Sequence, residues 1–267
     1  KETGATFLHP FNDKYVIAGQ GTIGLEILEQ LDGKVDTILC PIGGGGIIAG
    51  IAVAAKGINP NIKIVGVQTA NIPSMQESMK NGEVTTAFKS TTIADGIAVK
   101  TPGDVTFEII NELVDEVVVV EEDEIAQGML FLMENQKVVA EGAGAVTTAA
   151  LLSGKYVPKK DENVVCIISG GNIDINTLYR VIDTGLVKCG RRYTFRTHIV
   201  DRPGGLSEVT RILTDLNANI LSANMSKLSS KHGLGSQAVE LTIETFDEKH
   251  KEEIRESIIK AGFEISD

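Results

Sequence analysis

Four consecutive glycines, Gly43–Gly46, stand between a β-patterned run, Thr37–Ile42, and an apolar helical one, Ile47–Lys56. Glycine backbones reach positive φ and approach a ligand closely, and the unpaired N–H groups that open a helix attract an anion. The segment is therefore expected to hold a phosphate, with a mobile turn as the competing reading. Two common phosphate-binding patterns fit poorly. Gly44, Gly46 and Ala49 satisfy G-x-G-x-x-A, yet the next strand pattern, Lys63–Gln68, ends in Gln68 where a ribose would need Asp or Glu. No Lys-Ser or Lys-Thr follows the glycines, so a P-loop is excluded. A phosphate-bearing cofactor of another kind is left. Ser169-Gly170-Gly171-Asn172 ends a further apolar strand pattern and reads, taken alone, as a turn.

The elements that must position these residues alternate. Helical patterns fall at Leu25–Leu31, Ile47–Lys56, Pro73–Asn81, Thr101–Val114, Glu122–Gln136 and Gly142–Leu152, and strand patterns at Thr37–Ile42, Lys63–Gln68, Glu116–Val120 and Val164–Ile168. Strands apolar on both faces and separated by helices predict an α/β fold, a parallel sheet with helices on both faces. After Cys189 the pattern changes to βαββαβ. Its strands are expected from Tyr193 to Ile199, Asn219–Leu228, Gln237–Thr245 and Phe263–Ile265, with helices through Leu206–Leu216 and Lys249–Ala261. That order predicts a small α+β ferredoxin-like domain, joined to the larger one through Gly185–Arg192. The expected division is residues 1–188 and 189–267.

The 267 residues, 42% of them hydrophobic, suffice for a medium domain plus a small one. Acidic residues outnumber basic ones 36 to 25, and the net charge of −11 argues against nucleic acid and anionic membranes as partners. Cys40, Cys166 and Cys189 form no C-x-x-C pair, and Cys40 and Cys166 read as core thiols, so neither a disulfide framework nor a metal site is expected. No apolar stretch reaches membrane-spanning length, and a cytoplasmic location is expected. The chain opens at Lys1 without an initiator Met and is expected to be truncated.

Five local sequences together carry a resemblance. His9-Pro10-Phe11-Asn12-Asp13, the tetraglycine, Ala94-Asp95-Gly96, Glu141-Gly142-Ala143-Gly144-Ala145 and Ser169-Gly170-Gly171-Asn172 resemble the second half of a threonine dehydratase (threonine ammonia-lyase). The resemblance implies pyridoxal 5′-phosphate as cofactor on the type II, tryptophan-synthase-β-like fold, here partial. It assigns Gly43, Gly44, Gly45 and Gly46 to the cofactor phosphate and the Ser169 hydroxyl to the pyridine nitrogen. Gly96, through its backbone, and Glu141 are placed near the ring. Glu141 reads equally as a carboxylate stabilising a helix N-terminus. The Schiff-base lysine of the family, in a Ser-Phe-Lys type motif, and its Ser-Ser/Ala-Gly-Asn loop belong to the upstream half, so the chain is expected to hold half of an active site. Gln68 stands where metal-binding relatives carry an acid, which leaves no metal expected.

Asp201-Arg202-Pro203-Gly204-Gly205-Leu206 resembles the first strand-to-helix turn of an ACT domain, a regulatory module that binds amino acids. Asp201, Arg202, Pro203, Gly204 and Gly205, with Asn219, are thereby implied to hold an amino acid between paired modules. A plain turn, or a module that only dimerises, is the alternative. The reading is an ACT-regulated threonine dehydratase that forms 2-oxobutanoate and ammonia from L-threonine, homo-oligomeric, with isoleucine or valine as effector. Serine dehydratase or racemase chemistry on L-serine, and an inactive fragment serving as an amino-acid sensor, remain the alternatives.

Overall fold

The computed structural model describes residues 7–226 and 235–266, and the chain divides into two compact units, Lys1–Val181 and Ile182–Asp267. The first carries α1 (Lys14–Gln30), β1 (Thr37–Pro41), α2 (Gly46–Ile58), β2 (Lys63–Thr69), α3 (Ser74–Asn81), α4 (Asp104–Leu113), β3 (Glu116–Val120), α5 (Glu122–Phe131), α6 (Gly142–Leu152) and β4 (Val164–Cys166). Helix α7 (Ile175–Lys188) begins in the first unit and runs into the second, which continues as β5 (Arg192–Val200), α8 (Gly205–Asp215), β6 (Asn219–Ser226), β7 (Ser236–Glu244), α9 (Glu248–Lys260) and β8 (Ile265–Ser266).

The larger sheet is parallel throughout, in the order β3-β2-β1-β4. Successive side chains of a strand point to opposite faces, and β1 sorts its residues accordingly. Leu39 joins Ile125, Met129, Val146 and Ala149 of α5 and α6 on one face. Ile38 and Cys40 join Ile17, Ile51, Ala55 and Ile110 of α1, α2 and α4 on the other. The sheet covered on both sides is thus present. Two helices differ from expectation. Helix α1 starts at Lys14, not Leu25, capped by the Asp13 carboxylate, which accepts from Tyr15 N at 2.8 Å. Its buried face includes Gly21 and Gly24 against α2, and glycines leave no apolar periodicity to read. Helix α7 replaces the expected linker at its C-terminal end and was not foreseen, although Asp174 caps it through Asn176 N and Thr177 N. The pattern Glu122–Gln136 divides into α5 and one π-helical turn, Leu132–Gln136.

The second unit is the expected βαββαβ, with antiparallel strand order β6-β7-β5-β8. Tyr193, Phe195 and Ile199 of β5 and Val239, Leu241 and Ile243 of β7 are buried with Val209 and Leu213 of α8 and Ile254 and Ile258 of α9, so both helices cover one sheet face. Of the expected strand Asn219–Leu228, the last two residues lie outside the described residues. The final strand is displaced to Ile265–Ser266, and Phe263 packs against the core ahead of it. No helix among the described residues is long and apolar enough to cross a membrane.

Candidate active site

Strand β1 leads through α2 to β2 on one side, while β4 pairs on its other side. The strand order reverses there, and in open α/β sheets such a switch point leaves a crevice at the carboxyl ends of the strands. A cleft of about 310 Å³ lies at this place. Its walls include Gly43, Gly44, Gly45 and Gly46 after β1, Ser169 after β4, and Gly96 and Glu141. All the residues expected to meet a cofactor thus share one crevice.

The glycine loop opens α2. Gly45 caps the helix at φ 97°, and the first amide bonded back along it is that of Ala49, which donates to Gly45 O at 3.0 Å. The preceding N–H groups have no partner within the helix and form its positive pole. A Cβ on Gly45 would lie 2.7 Å from Ile110 Cδ1 and 2.9 Å from Thr106 Cβ, and one on Gly44 would overlap the ring of Phe11. The glycines therefore serve packing as well as ligand approach. Thr106, fully buried on α4, places its hydroxyl 2.6 Å from Gly44 O.

The segment His9–Asp13 holds this loop from the other side. His9 Nδ1 accepts from Asn12 N at 3.0 Å, Phe11 packs on the glycines, and Asn12 Oδ1 accepts from Val105 N at 3.0 Å at the start of α4. Asn12 also donates to Asp104 Oδ1 at 2.6 Å, a bond that lowers the Asp104 pKa. In sequence this segment carries only part of the family resemblance. Asx residues at 12 and 13 were the available signal, since each caps a helix, but the partner of Asn12 is remote in sequence.

Glu141 is half-buried where α6 begins, with its amide donating to Gly170 O at 3.1 Å. A Cβ on Gly96 would lie 3.4 Å from Glu141 Oε1, so the two line the cleft side by side. Burial, and then the negative charge of Asp95, raise the Glu141 pKa against a smaller lowering by Asn172 N–H. The segment carrying Gly96 is anchored by Glu122, whose carboxylate accepts from Thr69 Oγ1 at 3.0 Å, Asn71 Nδ2 at 3.1 Å and Ile93 N at 2.7 Å. The sequence places Glu122 only at the start of a helical pattern, since Thr69, Asn71 and Ile93 are remote from it in the chain.

The other expectations are placed as follows. Gln68 is fully buried; its Oε1 accepts from Met75 N and Gln76 N, both at 3.0 Å, and its Nε2 donates to Ile42 O at 3.3 Å. It is the cap of α3, and an ionised acid would lack the donor that reaches Ile42. No group of three metal-ligating side chains occurs among the described residues. Burial pushes the Cys166 thiol up to about 11 and the Cys40 thiol further, which leaves both poor nucleophiles. Asp201–Gly205 form the turn from β5 into α8, with Gly204 at φ 93°. Asn219 is not brought to that turn: it opens β6, donates to Glu244 Oε2 at 2.8 Å and lies level with Arg192, at the far end of β5.

The residues present fit a flat, phosphorylated ring. The N-terminus of α2, an end of a helix that attracts anions, lies at one part of the crevice, and the Ser169 hydroxyl, the Glu141 carboxyl and the Gly96 backbone are among the groups that line the rest.

Comparison with known proteins agrees with this chemistry. Residues 1–170 match the family described as pyridoxal-phosphate dependent enzyme, and residues 193–262 match the ACT domain. An L-threonine ammonia-lyase of Thermotoga maritima is 51% identical over 265 residues, 99% of this chain and 65% of the relative's length. The chain thus spans under two thirds of that relative. Maize serine racemase superposes with a TM-score of 0.63 at 40% identity, over 70% of this chain and 57% of that one. The processed form of threonine deaminase isoform 2 from Solanum lycopersicum gives 0.63 at 37% identity, over 68% and 53%.

Proposed function

Because the chain belongs to the family of pyridoxal-phosphate dependent enzymes and carries an ACT domain, we propose that it forms the cofactor-cradling and regulatory part of an L-threonine ammonia-lyase, which converts L-threonine to 2-oxobutanoate and ammonia. The observation that carries this reading is the convergence of the glycine loop and Ser169 on one crevice at the switch point of the sheet. Gly43–Gly46 receive the phosphate through backbone N–H groups at the positive end of α2. The Ser169 hydroxyl would meet the ring nitrogen as a neutral partner, which would leave that nitrogen unprotonated. Bound pyridoxal 5′-phosphate supplies an electron sink beside the substrate Cα, and a moderate one suffices where a hydroxyl leaves from Cβ. Gly96 presents backbone along the ring. Glu141, with its raised pKa, holds a proton more readily than an exposed carboxylate and is the crevice's candidate for moving one. No lysine lines the crevice among the described residues; Lys137 Nζ donates to Glu134 O, and Lys100 stacks over Phe88.

The test is formation of 2-oxobutanoate from L-threonine by the protein that carries this segment together with a Schiff-base lysine. Ser169→Ala should lower turnover severalfold while cofactor affinity stays near that of the parent. A parent protein that binds the cofactor but releases no 2-oxobutanoate would refute the reading. L-Serine is the second candidate substrate, favoured by the likeness to maize serine racemase. The ratio of kcat/KM for the two amino acids decides between them.

A further inference from the structure

Thr106 has one hydroxyl proton and two carbonyls within reach: Gly44 O at 2.6 Å, 62 residues away in sequence, and Gly103 O at 3.1 Å in the preceding turn. The shorter contact takes the proton. A trans peptide points its C=O and its N–H in opposite directions, and no cis peptide occurs among the described residues. With Gly44 O directed inward at α4, the Gly45 N–H is directed outward, to the crevice that Gly44, Gly45 and Gly46 line.

Resting on the cofactor reading above, we infer that Thr106 is a positioning residue whose hydroxyl fixes the Gly44–Gly45 peptide so that Gly45 N–H faces the bound phosphate. Glycine on both sides makes rotation of that peptide easy, so its direction needs an anchor. Without the hydroxyl, Gly44 O becomes a buried acceptor lacking a partner. Rotation relieves this by turning the carbonyl to the crevice, where it replaces a donor with an acceptor facing an anion. Valine is the same size as threonine and removes only the bond. Serine keeps the bond and loses a methyl group.

Pyridoxamine 5′-phosphate and pyridoxamine differ only by the phosphate and form no bond to a lysine, so their relative affinity reports the cradle alone. In the intact protein, Thr106→Val should weaken pyridoxamine 5′-phosphate about tenfold to a hundredfold, the range of one hydrogen bond to a charged group, and leave pyridoxamine unchanged. Thr106→Ser should restore the parent preference. Should circular dichroism show Thr106→Val unfolded, Thr106→Ala carries the same test. Equal weakening of both probes, or a retained preference in the valine or alanine variant, overturns the role of Thr106. A parent protein with no preference for the phosphorylated probe instead overturns the phosphate cradle, and the inference with it.

Discussion

Gly45 is where conformation and packing converge on a single atom. Its φ of 97° is a region that L side chains rarely adopt, and a Cβ there would press on Ile110 Cδ1 at 2.7 Å. Gly45→Ala is therefore expected to destabilise the fold by about 1–3 kcal/mol, read as a lower Tm with or without cofactor. An unchanged Tm would show that the loop can shift away from α4. Valine at Gly44 displaces the Phe11 ring before it meets any ligand, so affinity lost there would report packing as much as phosphate contact. The glycine run was legible because its residue type carries meaning in a short window, whereas Ser169 and Glu141, which alone read as a turn and a helix-terminal acid, were placed only by the resemblance of their segments to a family. Phe11, Asn12, Thr106 and Glu122 were not legible, because each acts through a partner that only the folded chain supplies. Thr106 lies in sequence within an ordinary helical pattern, where a threonine hydroxyl can bond the previous turn, here Gly103 O at 3.1 Å, and nothing in the sequence points to the nearer Gly44 O.

The parallel sheet is fastened at its other end, away from the crevice. Glu162 joins the start of β1 to the approach of β4, accepting from Thr37 Oγ1, Tyr156 Oη and Lys159 N, each at 2.5 Å. These bonds lower its pKa from the ordinary 4.5 to about 2. A depressed carboxylate stabilises the fold fully above its unfolded pKa and loses that contribution as pH falls through the folded one. The Tm advantage of the parent over Glu162→Gln should accordingly be constant near neutrality, shrink between about pH 5 and about pH 2, and vanish below. A difference independent of pH would mean that the three bonds do not depend on the charge. At this scale the sequence was informative for β1 and β2, whose apolar runs are long, and less so for α1 and α7. Glycines interrupt the apolar stripe of α1, while α7 buries Val181 behind the exposed Ile175 and Tyr179.

The chain as a whole carries a crevice in one unit and an ACT domain in the other, and the geometry of that domain limits how an effector would bind. Through β7, Arg192 and Asn219 both align with Glu244, whereas Val200, next to the Asp201–Gly205 turn, aligns with Ser236. The two parts of the expected effector site are thus separated by the length of β5, about 26 Å at the usual rise per residue. No single amino acid touches both in one module. Both parts would meet one effector only if a second module brought the turn of one copy to Asn219 of the other, and β6, which carries Asn219, lies at an edge of the sheet. Coupling then requires that the effector bind differently to two arrangements of the pair. Isoleucine or valine should shift the threonine concentration at half-saturation, and the shift should fade as dilution separates the subunits. Asn219→Ala, which removes only an exposed bond to Glu244 from the fold, should reduce the shift severalfold. An effector response that survives dilution to monomers would place the site within one module and remove Asn219 from it. A protein that self-associates yet responds to neither amino acid would make the module an assembly device.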